Sequence, residues 1–155
     1  MLALAAGPPV PPRDEDLTTV KFAQTATSAG MFDNEIEFTV TKAGPAEVTV
    51  LWTTGAANIA AGSDSTHATL NVDFTMSRGS LFFSATEISK SFSVPILKPG
   101  TARSKTKLFQ VGLAFPPFDN HGGAPVELKD NSKHAVGVIL ACDPSDATVF
   151  GKVCK

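Results

Sequence analysis

Tyrosine is missing from all 155 residues and tryptophan occurs once, so eleven phenylalanines supply nearly all the aromatic side chains. Tyrosine favours strands as phenylalanine does, so its complete absence is unusual for a β-rich chain. Cysteine is almost as scarce. Cys142 and Cys154 are the only two, and neither lies in a CxxC spacing or beside a histidine, which removes the usual metal and redox readings. Thirteen Lys and Arg against fifteen Asp and Glu leave a net charge of −2, which offers no electrostatic footing for nucleic acid or an anionic membrane. No apolar run approaches the length of a membrane span, so membrane insertion is not expected. The sequence has no GxSxG elbow, phosphate loop, dinucleotide fingerprint or EF-hand loop. His67, His121 and His134 stand apart with no ligand-type spacing and read as surface or turn residues. No N-x-Ser/Thr sequon occurs, since Asn131 and Ser132 are followed by Lys133. Neither an enzyme nor a cofactor is expected.

What is present is alternation. After residues 1–17, apolar and polar positions exchange with period 2 in segment after segment. "TTVKFAQ" places Val20 and Phe22 inward. "NEIEFTVTK" places Ile36, Phe38 and Val40 inward, and "AEVTVLWTT" Val48, Val50 and Trp52. "HATLNVDFTM" alternates through Ala68, Leu70, Val72, Phe74 and Met76. "ISKSFSVPIL" offers Phe92, Val94 and Ile96, and "KLFQVGLAF" offers Phe109, Val111, Leu113 and Phe115. "KHAVGVILA" closes the set with Val136, Val138 and Leu140. Gly, Pro, Asn and Asp separate the segments, and no window of helical length shows a 3.6-residue period. These features predict an all-β, antiparallel, immunoglobulin-like sandwich of about seven strands.

The pieces "VTVLWTTGAA", "VDFTMSRGSLFFSATEISKSFSVPIL", "KLFQVGL" and "HAVGVILACD" resemble the Calx-beta domain in pattern and order. The resemblance covers roughly residues 18–143. It implies an immunoglobulin-like sandwich, with Asp73 in a structural Asp-aromatic pair on a strand. It also implies acids after "VPIL" and consecutive aspartates at the end of the closing strand in those members that bind calcium. Ca²⁺ needs six to eight oxygen ligands converging from such loops. This chain instead carries Lys98, Arg103, Lys105 and Lys107 after "VPIL", and Asp143 alone at the second place. The metal site is therefore expected to be lost. Three uses remain open for the cations: a solvated loop, a guard against unwanted strand pairing, or contact with an anion such as an acidic glycan. Glu87, between two expected strands, reads as a residue that fixes a turn, and "RDED" at 13–16 as a solvated patch.

The ends complete the organisation: a tail over 1–17, the sandwich over 18–143 and a C-terminal tail over 144–155. With no metal or redox pattern, a Cys142–Cys154 disulfide pinning that last tail is the better account. Closing so short a loop would contribute about 3 kcal/mol and implies an oxidising, extracellular or cell-surface setting. "MLALAAG" resembles the end of a signal sequence but is short and lacks a basic leader. It is followed by the stiff Pro8, Pro9, Pro11 and Pro12. An apolar strand-length segment on a rigid spacer suits pairing with a neighbour, with Leu2 and Leu4 on one side. The expected role is a secreted structural module whose partner is another copy of itself, in an oligomer or filament. The alternatives are a calcium-binding regulatory or adhesion domain and a carbohydrate-binding module.

Overall fold

The structure, a computed structural model, describes residues 17–30, 32–56, 65–97, 105–117, 125–129 and 133–141. Ten strands form among them: β1 Thr18–Phe22, β2 Ala26–Ala29, β3 Glu35–Ala43, β4 Val48–Ala56, β5 Ser65–His67, β6 Arg78–Phe83, β7 Ser89–Pro95, β8 Thr106–Ala114, β9 Val126–Leu128 and β10 His134–Ile139. One sheet has the order β7-β3-β1-β9. The other has the order β2-β10-β8-β4-β6, with β5 paired to β8 beyond the end of β4. The architecture is the expected β-sandwich. The segments expected to be strands at 18–24, 34–42, 46–54, 88–97 and 107–115 correspond to β1, β3, β4, β7 and β8, whose buried residues include Val20, Phe22, Ile36, Phe38, Val40, Val48, Val50, Phe92, Val94, Phe109, Val111 and Leu113.

The core is a column of rings between the sheets. Phe38 and Phe92 stack within one sheet at 5.5 Å, and Phe92 stacks on Trp52 of the other sheet at 4.0 Å. Phe109 meets Phe38 edge-on at 6.0 Å and stacks on Phe74 at 4.4 Å. Burial of each such side chain contributes about 1.5–3 kcal/mol, and the ring geometry adds directional preference. Trp52, expected inward, is half-buried: it stacks on Phe92, and its partner across to the edge strand β6 is Gly79, which has no side chain to cover it.

Two local expectations fail. The last strand is out of phase by one residue: Ala135, Gly137 and Ile139 face inward, while Val136 and Val138 are half-buried on the outer face and Leu140 is exposed. The cause is Phe109, directly opposite Gly137. A Cβ at 137 would lie 2.3 Å from the Phe109 ring, so the strand must bring its glycine, not a valine, to the inner face there. The segment 69–76 is not a strand but a turn. Its Asn71 adopts φ 61°, Asp73 accepts a hydrogen bond from the Thr69 amide at 2.7 Å, and Asn71 Oδ1 accepts from the Met76 amide at 3.1 Å. Side chains that bond nearby amides in this way compete with strand pairing. Ala68 and Phe74 remain buried, while Leu70, Val72 and Met76 point outward.

The N-terminal segment serves both sheets. β1 pairs antiparallel with β3 and parallel with β9; the chain then crosses over, and β2 pairs parallel with β10. At the end where β3 turns into β4, Gly44 (φ 121°) passes so close over Thr18 that a Cβ would fall 2.5 Å from its Cα. Only glycine fits that crossing. Thr18 Oγ1 accepts from the Ala46 amide at 2.9 Å and completes it.

Candidate functional site

The outer face of a solvated antiparallel sheet is ordinarily polar. On the six-stranded sheet, register sets Leu51, Gly112 and Ala114 side by side among polar residues in two adjacent rows. Ser80, Leu51 and Ala114 lie side by side across β6, β4 and β8; the next row runs Arg78, Thr53, Gly112 and His134 across β6, β4, β8 and β10. With no side chain at 112 and only a methyl at 114, the surface sinks between Arg78 and His134. The result is an open trough of about 720 Å³. The His134 ring leans over Gly112, where an added Cβ would meet it at 3.2 Å. Arg78 and His134 are exposed at opposite rims, and Thr53 and Ser80 add hydroxyls. The trough offers an apolar floor, hydrogen-bonding edges and one fixed positive charge. That suits holding an extended chain.

Sequence reasoning did not find this trough, since it depends on which residues register places side by side. It also missed Lys42. Lys42 continues the inward alternation of Ile36, Phe38 and Val40 and is 3% exposed. Its ammonium donates to the carbonyls of Ala46 (2.7 Å), Ser84 (2.7 Å) and Ala85 (3.1 Å), joining the β3–β4 and β6–β7 turns. Burial pulls its pKa below the usual lysine value, opposed by the Glu87 and Glu47 carboxylates. Three carbonyl acceptors match the three N–H donors of an ammonium, so the geometry is that of a structural cation. The signal was available: a lysine at an inward position of a long strand.

Glu87 does fix its turn. Its Oε1 accepts from the Ser84 amide at 3.0 Å and its Oε2 pairs with Lys90 at 3.1 Å. The Ser84 amide and then Lys90 hold its pKa below the ordinary carboxylate value. Asp73 holds a turn rather than sitting on a strand. His67 and His134 are exposed. Of the basic connection, Lys105 is exposed ahead of β8 and Lys107 is half-buried on it, opposite Ile139. Lys98, Arg103, His121 and Asp143 lie outside the described residues, as do Cys142, Cys154, Leu2, Leu4 and Pro8, Pro9, Pro11 and Pro12. Among the described residues, no group of three or more His, Cys, Asp or Glu could hold a metal ion.

The fold has close counterparts. The chain superposes on the apo form of the Calx CBD1 domain with a TM-score of 0.63, at 18% identity, over 81% of this chain and 98% of that one. It superposes on the Calx CBD2 domain with a TM-score of 0.62, at 16% identity, over 86% and 89%. A two-domain protein of unknown function from Bacteroides fragilis aligns at 0.50 and 10% identity, over 82% of this chain and 46% of that one. No protein-family model matches the sequence, and no curated protein matches it. The architecture is a Calx-beta-like sandwich, as the sequence resemblance implied. At these identities the likeness is one of fold.

Proposed function

We propose that this protein is a non-catalytic structural module of the extracellular space or cell surface, which associates with further copies of itself through its N-terminal segment. The observation that supports this most is a set of exposed apolar side chains on one hydrogen-bonded turn. Leu70, Val72 and Met76 are 41%, 50% and 53% exposed. The turn that carries them is tied down by Asp73, by Asn71 and by the Thr75 amide donating to Pro95 at 3.0 Å. Apolar groups held outward together on an ordered turn favour a macromolecular contact. Phe82, at 50%, adds a second exposed apolar group on the edge strand β6. Contacts between unlike surfaces of identical copies propagate into rings or filaments, and the Leu2/Leu4 segment on its proline spacer gives such a contact a direction.

The rival reading is a calcium-binding module. One solved structure of this fold is described as the calcium binding domain of CALX1.1, so the support for that reading is the fold alone. Sedimentation velocity over a concentration series, with negative-stain imaging, tests the assembly reading. The full chain should form oligomers or filaments, and a chain lacking residues 1–12 should be a folded monomer with unchanged β-rich circular dichroism. Assembly that survives the deletion would overturn the role of the tail.

A further inference from the structure

Resting on that assembly reading, we infer that the trough on the outer face of the six-stranded sheet is the acceptor for residues 1–5 of a second copy. Dimensions, chemistry and chain layout agree. The row from Arg78 to His134 crosses four adjacent strands, hence three strand spacings, about 14 Å. Five residues in extended conformation span about 16 Å. The volume of about 720 Å³ accommodates a short segment with two large apolar side chains. Leu2 and Leu4 project to the same side of an extended strand and would meet the floor formed by Leu51, Gly112 and Ala114. Ala3 and Ala5 would face away. A segment laid across strands cannot extend their hydrogen-bond ladder, so its backbone groups need side-chain partners. Thr53 and the rim residues Arg78 and His134 supply donors and acceptors there.

The layout favours a second copy over the same chain. Residue 17 leads into β1 of the four-stranded sheet, on the far side of the sandwich from the trough. A sequence with prolines at 8, 9, 11 and 12 favours an extended polyproline conformation, which would oppose a sharp return around its own domain. The acidic Asp14, Glu15 and Asp16 behind the spacer carry charge opposite to that of Arg78. The contact is heterologous: the trough accepts and the tail donates, so each subunit has one of each.

A mixing experiment tests this on full-length chains. Ala114→Trp fills the trough from an exposed position; Leu2→Asp with Leu4→Asp disables the tail. Thr53→Trp fills the trough from the neighbouring strand, should the first trough variant fail to fold. Each variant alone should sediment as a monomer with a cooperative melt. An equimolar mixture should give a species of twice the monomer mass and nothing longer, because one intact tail and one intact trough remain. A peptide of residues 1–12, added to the tail variant, should shift the backbone amide signals of Thr53, Gly112 and Ala114. The same peptide with both leucines replaced by Asp should bind at least tenfold more weakly. If the trough variants polymerise like the parent while the tail variant does not, the tail reading stands and the trough assignment falls. If the tail variant polymerises like the parent, or the parent stays monomeric, the assembly reading itself falls. Shifts at those amides with oligogalacturonate but not with the peptide would assign the trough to an acidic glycan and overturn the inference. A mixture that gives only monomers, with the trough amides of the tail variant unprotected, would overturn docking in trans.

Discussion

Gly137 of β10 lies directly across from Phe109 of β8, and the Phe109 ring fills the space that a side chain at 137 would need. The same relationship recurs on both faces of this sheet. Gly79 sits opposite Trp52, with the indole 3.0 Å from where a Cβ would be, and Gly112 sits opposite His134. These three glycines are each covered by a ring from the neighbouring strand, which recovers some of the contact that a glycine forgoes in a strand; Gly55 of β4, opposite Gln110, has no such cover.

Gly137→Ala should therefore destabilise the domain by about 2–3 kcal/mol, the scale of forced overpacking. Phe109 cannot step aside, because it is fully buried between Phe74 and Phe38. Urea unfolding should show a lower midpoint at an unchanged slope. A variant as stable as the parent would mean that the sheet spreads there at no cost.

Lys42→Met keeps the length of the buried stem but removes the donor to three carbonyls. Leaving these acceptors without their charged partner should cost about 3 kcal/mol. The readout is again a denaturant midpoint. Lys42→Arg should not restore it, since a planar fork cannot match three carbonyls converging on one nitrogen.

Glu87 sets a pH dependence. Its carboxylate is favoured in the folded state by the Ser84 amide and Lys90, and its pKa lies below the ordinary value of 4.5. A depressed carboxyl stabilises the fold above its unfolded pKa, and that contribution is lost as pH falls through the folded one. The parent should lose stability as pH drops below about 4.5, and Glu87→Gln should lose less over the same range. Parallel curves for the two proteins would remove Glu87 as a contributor.

Calcium should leave the melting temperature unchanged, because Lys98, Arg103, Lys105 and Lys107 occupy the segment where acids would be needed. A ligand that binds only the native state must raise the melting temperature. A rise with millimolar Ca²⁺ and not with Mg²⁺ would revive the calcium reading.

The cysteines give a mass-spectrometric test. The non-reduced protein should be lighter than the reduced form by two hydrogens, with a single cross-linked peptide joining Cys142 to Cys154. Two alkylatable thiols without prior reduction would rule the bridge out.

The strands were legible where one face is wholly buried and the other wet, as in β3, whose Ile36, Phe38 and Val40 leave no choice of register. They were misread where both faces carry apolar groups. In β10, Val136 and Val138 look like core residues by composition, and only the width of Phe109 decides against them. The turn at 69–76 imitates alternation because Leu70 and Val72 fall on the same parity as Phe74; the Asn71 and Asp73 between them were the overlooked sign. β2, β5 and β9, of three or four residues, are too short to show a period. The trough was beyond reach because it arises from register among four strands. Lys42 could have been read, since a lysine continuing an inward row needs acceptors wherever it lands.

The crossing of the N-terminal segment from one sheet to the other also decides how the domain bears tension. β2 and β10 run parallel, and so do β1 and β9. The chain enters at the end where β3 turns into β4 and leaves β10 at the opposite end. A pull between the two termini therefore draws β2 and β10 past one another along their length. In that geometry the four register positions from Ala26–Val136 to Ala29–Ile139 carry the load together instead of parting one after another from an end. A subunit held by its two termini would resist as a lap joint resists, in shear, with the ring column behind the joint keeping both sheets in place.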